Sequence, residues 1–141
     1  MHLLAHRIKG AWCKGKVAAV LFLDIEGAFP NAVLEKLIHN LRKCKILLKH
    51  VEFVKNMLRG RLTMLRFDGY CSEQIQIDNG IGQGDLLSMV LYQYYNVDLL
   101  DIPDDNSDTA VAYVNDTLLY AGVDTLEEAH LKLAEMMTKE N

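Results

Sequence analysis

An unbroken run of seven apolar residues, VAAVLFL, extends from Val17 to Leu23 and ends at a carboxylate, Asp24. A run of this length that contains β-branched and aromatic residues predicts a strand buried at the centre of a sheet. It is far shorter than the roughly 20 apolar residues that a membrane-spanning helix needs. The chain therefore has to bury this strand in a folded core, with Asp24 at the strand's end.

Two amphipathic helices are predicted after this strand. Pro30 suits the first position of a helix, and apolar residues then recur at helical spacing. These residues are Val33, Leu34, Leu37, Ile38 and Leu41. The second helix is predicted from about Ile46 to Arg59, where Gly60 provides a stop signal.

The middle of the chain predicts a hairpin and a long helix. Arg61–Phe67 and Gln74–Ile77 alternate as strands do, and Asp68–Gly69 between them is a turn pair. Leu86–Leu100 is almost continuously apolar and of helical length, so we expect a buried helix. The acidic segment Asp101–Asp108 is predicted to be a loop.

The last third of the chain predicts a second hairpin and a final helix. The strand-like runs Ala110–Val114 and Thr117–Ala121 are separated by Asn115–Asp116, which has the chemistry of a two-residue turn. Thr125 and Glu128 have the spacing of a capping box. The complete order of elements favours an α+β fold in which helices pack on one face of an antiparallel sheet.

Charge is distributed unevenly along the chain. Residues 1–70 hold 13 Lys and Arg against 5 Asp and Glu, whereas residues 71–141 hold 2 against 14, and the net charge is −4. The basic half either binds nucleic acid or forms a solvated surface without a partner. The three cysteines are far apart and predict no disulfide and no zinc site. We expect a soluble, intracellular protein.

Two acidic residues lie where a reaction could use them. Asp24 ends the first predicted strand, and Asp116 lies in the turn of the last predicted hairpin. If these strands are neighbours, the two carboxylates converge and could hold Mg²⁺. Spacing alone leaves a plainer interpretation open, in which Asp24 caps a helix and Asn115–Asp116 is an ordinary turn.

Three segments, in this order, resemble the motifs of reverse transcriptases. FLDIEGAFPN (Phe22–Asn31) looks like the segment that carries a metal-binding aspartate and an aromatic residue five places later. GIGQGDLLS (Gly80–Ser88) is similar to the Gly-x-Pro-Gln-Gly-Ser loop, and AYVNDTLLYA (Ala112–Ala121) looks like the Tyr-x-Asp-Asp hairpin. The first two segments look closer to non-LTR retrotransposon enzymes than to retroviral ones. The resemblance implies a polymerase palm over residues 17–141 and a remnant of the fingers over residues 1–16.

The resemblance also implies which residues would carry catalysis. Asp24 and Asp116 would hold two Mg²⁺ ions, which are the expected cofactors. Asn115 stands where the family has the first aspartate of its pair, and it would be the third residue of the catalytic group. Asparagine offers a neutral carbonyl oxygen in place of an anion, so this departure predicts weak catalysis or none.

The remaining motif residues imply substrate contacts. The backbone of Ile25 would lie beside the metal, Phe29 would exclude the ribose 2′-hydroxyl, and Gln83 would touch the incoming nucleotide. Contacts with template or primer are expected from Gly82, Gly84, Tyr113, Arg59 and Arg61. Asp85, which stands where the family has serine, is expected to cap the following helix.

Two functions remain open at this stage. The chain is either an RNA-directed DNA polymerase palm, which extends a DNA primer on an RNA template with deoxynucleoside triphosphates, or a catalytically inactive retroelement remnant that at most binds nucleic acid. Asn115 and the incomplete or absent fingers and thumb favour a truncated or degenerate copy. The family makes a nuclear location possible, and no membrane or disulfide partner is expected.

Overall fold

The computed structural model describes residues 2–103 and 108–138. It has the α+β architecture predicted from the sequence, with helices and antiparallel sheets. The chain divides into two compact units. The first unit combines residues 1–25 with 96–141, and the second is residues 26–95.

The first unit is built on a sheet of three antiparallel strands. In chain order its elements are helix α1 (His2–Cys13), strand β1 (Val17–Asp24), a 3₁₀ helix (Val97–Asp101), strands β6 (Asp108–Tyr113) and β7 (Asp116–Val123), and helix α5 (Leu126–Thr138). Helix α5 and the 3₁₀ helix cover one face of the sheet. Their contact with the sheet is an apolar core of Leu99, Ile102, Leu119 and Met136.

Strand β1 lies at an edge of this sheet. The strand order is β1-β7-β6, so β7 occupies the centre. The prediction of a strand from Val17 to Asp24 is confirmed, but its prediction as a central strand is wrong within the part of the chain that the structure describes. Helices α1 and α5 both contact β1. Strand β1 is therefore apolar because helices cover it, and not because it has a neighbouring strand on each side.

The second unit is a layer of helices with two short hairpin ladders. Its elements are helices α2 (Leu34–Lys43) and α3 (Leu48–Leu58), strands β2 (Arg61–Thr63), β3 (Arg66–Phe67), β4 (Tyr70–Cys71) and β5 (Ile75–Ile77), and helix α4 (Leu86–Tyr95). Helix α2 packs against α3 and α4, and its residue Leu37 is fully buried. The predicted turn at Asp68–Gly69 is confirmed, and both of its residues have positive φ.

Helix α2 begins at Leu34, so the prediction that Pro30 opens it is wrong. Residues 26–31 form turns instead, in which the Asn31 N–H donates to Gly27 O at 3.0 Å. The carbonyls of Phe29 and Ala32 accept hydrogen bonds from Ile81 and Gly80. Those carbonyls are therefore unavailable to a helix that starts at Pro30.

The predicted helix from Leu86 to Leu100 is shorter and less buried than the sequence suggests. It ends at Tyr95, and the side chain of Asn96 donates to Val114 O at 3.4 Å. Leu86 is 82% exposed. Ser88, Leu91 and Tyr92 are the buried residues of this helix. Continuous apolar sequence cannot show that a helix is covered on one side only.

The predicted acidic loop lies partly outside the described residues, which omit 104–107. Among the helices that the structure describes, none combines the length and the apolar character needed to cross a membrane.

Candidate functional site

Asp24 and Asp116 are direct partners in the ladder between β1 and β7. Asp24 is the last residue of its strand, Asp116 is the first of the neighbouring antiparallel strand, and both are exposed. Directly opposed residues of an antiparallel pair project from the same face, with Cβ atoms about 5 Å apart. The predicted adjacency of the two aspartates is confirmed.

The loop that precedes Asp116 is displaced by one residue from its predicted position. Tyr113 pairs with Asp116, so the two loop residues are Val114 and Asn115 and not Asn115 and Asp116. Val114 is buried and has a φ of +59°, a backbone conformation that is costly for a β-branched residue. The shift makes Asp116 a strand residue and fixes it beside Asp24.

Asn115 contacts the aspartate pair directly. Its Nδ2 donates a hydrogen bond to Oδ1 of Asp24 at 2.9 Å. The amide thus neutralises no charge and occupies a lone pair of the carboxylate that it meets. An aspartate at this position would repel Asp24 unless a cation lay between them.

The donors gathered here fit a hard divalent cation. Asp24 and Asp116 supply carboxylate oxygens, and Asn115 can supply a carbonyl oxygen if its amide turns over. Oxygen ligands of this kind suit Mg²⁺. Within the described ranges, no group of three or more His, Cys, Asp and Glu side chains is arranged to hold a metal. Asparagine at position 115 leaves this cluster with two acidic members.

The sheet face that carries the aspartates is open at their end of the strands. Strand alternation places Phe22 of β1 and Tyr113 of β6 on this face, and they are 67% and 65% exposed. Ile25, which follows β1, is half-buried. A ligand larger than a metal ion can therefore reach the carboxylates from solvent.

In the second unit, the segment around Phe29 is hydrogen-bonded to the glycine-rich loop. Gly80 N–H donates to Ala32 O at 2.7 Å, and Ile81 N–H donates to Phe29 O at 2.8 Å. A Cβ on Gly80 would stand 2.7 Å from the carbonyl oxygen of Pro30. The two motifs are therefore held together by backbone contacts that only glycine permits at residue 80.

The aromatic residues of this unit pack on one another. The half-buried Phe29 ring lies 5.0 Å from the ring of Tyr92, which is buried and lies 5.5 Å from Tyr95. Further along the loop, Gln83 is exposed, and Asp85 Oδ1 accepts the Leu87 N–H at 2.8 Å. The expectation that Asp85 caps the next helix is confirmed.

Arg61 has a role that the sequence does not reveal. Its Nε donates to Leu58 O at 3.1 Å, and one terminal nitrogen donates to Asn79 O at 3.1 Å and also to Gly80 O. The guanidinium thus joins the end of α3 to the start of the glycine-rich loop. The contact of Arg61 with template or primer stays a prediction, and Nε and one terminal nitrogen of its guanidinium are engaged by backbone carbonyls in this structure. Arg59 is exposed.

The segment that carries Asp24, the glycine-rich loop and the hairpin that carries Asp116 follow one another along the chain in the order of a known family. A family model described as reverse transcriptase (RNA-dependent DNA polymerase) matches residues 2–141. The chain belongs to the reverse transcriptase family. No curated protein matches its sequence.

Membership in the reverse transcriptase family gives the two units different parts of the motif set. The first unit carries Asp24, Asn115 and Asp116, and the second carries Phe29 and Gln83. As a reverse transcriptase domain, the chain is expected to act with nucleic acid, nucleotides and a divalent metal. Asn115 is its principal departure from the Tyr-x-Asp-Asp motif.

Proposed function

We propose that this reverse transcriptase domain is a polymerase palm from a non-LTR retrotransposon and that Asn115 has weakened its catalysis. The reaction joins the 3′-hydroxyl of a DNA primer to the α-phosphate of a deoxynucleoside triphosphate, with pyrophosphate as the leaving group and RNA as the template. The observation that carries the proposal is the direct pairing of Asp24 with Asp116 at one open end of the sheet. The FLDIEGAF and GQGD sequences support the non-LTR assignment.

Asp24 and Asp116 would hold two Mg²⁺ ions. Such ions activate the attacking hydroxyl and stabilise charge on the triphosphate. The two carboxylates would hold the ions at the strand ends, where both residues belong to one hydrogen-bonded ladder. Ile25 offers its backbone at the end of the same strand.

The second unit would supply nucleotide selection. Phe29 is positioned by its carbonyl bond to Ile81 and by its packing on Tyr92, so its ring can act as a fixed barrier to a 2′-hydroxyl. Gln83 is exposed and available to the incoming nucleotide. Gly82, Gly84, Tyr113 and Arg59 are proposed to approach template or primer.

A second function is favoured by the contact between Asn115 and Asp24. The chain would then be an inactive remnant that still binds nucleic acid. A metal-holding carboxylate is worth several kcal/mol in the transition state, so its replacement slows chemistry by roughly three orders of magnitude. The hydrogen bond from Asn115 also competes with metal for Asp24.

One substitution separates these two functions. The segment, either unchanged or carrying Asn115→Asp, is placed inside an intact related polymerase, and primer extension with Mg²⁺ is measured. We expect the aspartate form to be faster by about three orders of magnitude. Primer–template affinity should hardly change, because backbone contacts elsewhere dominate it.

Asp24→Asn in the same host is the matched control. It removes a proposed metal ligand, so it should abolish extension in the presence of aspartate at 115. Equal rates with and without Asn115→Asp would refute the weakening by Asn115. An active Asp24→Asn form would refute the site itself.

A further inference from the structure

A basic pocket lies between helix α1 and the sheet of the first unit. This α1 pocket has a volume of about 620 Å³. Its lining is formed by Leu3, His6, Arg7, Gly10, Ala11, Lys14, Lys16, Tyr120 and Gly122. Tyr120 lies in the hairpin segment Ala112–Ala121, and none of the other lining residues belongs to the motifs of the candidate active site.

The lining of the α1 pocket is positive. It contains two lysines, one arginine and one histidine and no acidic residue. The sequence itself has no Asp or Glu before Asp24. Lys16 is 3.5 Å from Asp124, but both side chains are substantially exposed, so this ion pair is weak and easily exchanged. The pocket therefore favours an anion.

The floor of the pocket is formed by Tyr120 and Gly122, which are held in close contact. The Tyr120 hydroxyl donates to Arg7 O at 3.2 Å, and a Cβ on Gly122 would stand 2.8 Å from that hydroxyl. Burial, opposed by the nearby charge of Arg7, raises the pKa of Tyr120. At the end of α1, Ala11 O accepts hydrogen bonds from the amides of Lys14 and Lys16. The carbonyls of Ala11 and of Trp12, which accepts from the Gly15 amide, are thus paired and do not face an incoming anion unpaired.

The pocket lies on the same face of the sheet as the aspartate pair. Side chains alternate along β7, so Asp116, Leu118, Tyr120 and Gly122 project from one face. At about 3.3 Å per residue, Tyr120 and Gly122 are roughly 13 and 20 Å from Asp116 along the strand. The exposed side chain of Phe22, which pairs with Leu118, borders the surface between them.

We propose that the α1 pocket binds a backbone phosphate of the primer strand whose 3′ end lies at Asp24 and Asp116. Phosphates along one strand of a duplex rise about 3.4 Å per nucleotide, so the pocket corresponds to roughly the fourth to sixth phosphate from the end. The ligand chemistry is a phosphate held by lysine and arginine. This inference rests on the proposed function, because that function places the 3′ end at the aspartates.

The first test compares two lysines of the same segment. Lys14 lines the pocket, whereas Lys9 is an exposed residue of α1 that does not line it. Binding of a fluorescent primer–template duplex is measured by anisotropy, without Mg²⁺ and without nucleotide. We expect Lys14→Gln to weaken binding about fivefold and to reduce the salt slope by about 0.9, the value of one phosphate contact. Lys9→Gln should leave both quantities close to those of the unchanged protein.

The second test locates the phosphate. Single neutral methylphosphonate linkages are placed along the primer strand. One at roughly the fourth to sixth position should weaken binding to the unchanged protein but not to the Lys14→Gln variant. A position effect elsewhere on the strand, or none at all, would overturn the proposed alignment. Equal losses in the two lysine variants would overturn the pocket as a specific site.

Free phosphate is the other source of this ligand chemistry. Sodium pyrophosphate is added at ionic strength matched with sodium chloride, and the duplex should stay bound. Complete displacement that depends on Lys14 would show that the pocket prefers free phosphate and would overturn the inference, whereas loss of this one contact alone should weaken duplex binding only about fivefold. None of these binding measurements depends on catalysis. Primer extension can therefore fail while the methylphosphonate effect at the pocket is observed, and primer extension can succeed while that effect is absent. The two proposals are thus tested separately.

Discussion

Gly80 and Gly84 have almost the same backbone conformation but different surroundings. Their φ angles are +90° and +87°, which L side chains rarely adopt. A Cβ on Gly80 would meet the backbone of Pro30 at 2.7 Å, whereas one on Gly84 would meet nothing within 4 Å. The comparison separates the cost of the conformation from the cost of a close contact.

We expect Gly80→Ala to lower the free energy of unfolding by roughly 2–4 kcal/mol, and Gly84→Ala by about 1–2 kcal/mol. In both variants the alanine must adopt a strained positive φ, but only Gly80→Ala also forces the segment around Pro30 away from the loop. Urea denaturation measures both changes. Equal losses would show that the contact with Pro30 carries no strain.

At the scale of single residues, the sequence predicts which residues belong to the candidate site better than it predicts which contacts their side chains make. The sequence placed Asp24 at a strand end and Asp116 in a hairpin turn, and the structure instead makes Asp116 the first residue of β7, directly opposite Asp24. The contact from Asn115 to Asp24 was not predictable, because it depends on a loop of Val114 and Asn115. Asn-Asp has good turn chemistry in either register, and a buried valine with positive φ is not an expected turn residue.

At the scale of elements, Arg61 couples a helix to a loop. It is the first residue of β2, yet its side chain reaches the last turn of α3 and the carbonyls of Asn79 and Gly80. Arginine can do this because its planar fork presents several donors in fixed directions. The same loop is bonded to the segment around Phe29. Arg61 therefore stabilises the placement of both motifs in the second unit.

Replacing Arg61 should loosen this loop. We expect Arg61→Met to lower the free energy of unfolding by about 2 kcal/mol, because two or three hydrogen bonds from a charged donor are lost. The amides of Gly80 and Ile81 should exchange with solvent faster, which hydrogen exchange followed by mass spectrometry would detect. Arg59→Met is the matched control and should change neither quantity. Unaltered exchange at Gly80 in Arg61→Met would contradict the anchoring role.

The order of the elements was predictable from periodicity, but their neighbours were not. The helix after Val33 and the strand Val17–Asp24 follow from apolar spacing. An edge strand covered by two helices has the same apolar sequence as a central strand, so the pattern could not place β1. The helix beginning at Leu34 was misplaced by four residues, because its expected first turn is bonded to a loop distant in sequence. Such long-range hydrogen bonds leave no local signal.

At the scale of the whole molecule, charge divides the chain unequally. The basic half, residues 1–70, supplies α1 of the first unit and most helices of the second. The acidic half supplies β6, β7 and α5, where Lys132 is paired with the buried Asp108 at 3.1 Å. The net charge of −4 therefore conceals two halves of the chain with opposite charge. A polyanion is expected to contact residues of the basic half and to be repelled by those of the acidic half.

We expect the purified chain to bind primer–template duplex weakly at physiological salt, with Kd of roughly 10⁻⁴ to 10⁻⁶ M, and with a steep salt dependence. If about three phosphates are contacted, raising salt from about 50 to 200 mM should weaken binding roughly 40-fold, because counterion release contributes about 0.9 to the slope per phosphate. Anisotropy at several salt concentrations measures the slope.

Glu127→Gln is the control for net charge. Glu127 is an exposed residue in the first turn of α5 in the acidic half, so removing its charge should leave the slope unchanged. Affinity that does not vary with salt would show that the basic half makes no phosphate contacts, and it would remove the electrostatic support for nucleic-acid binding by this chain.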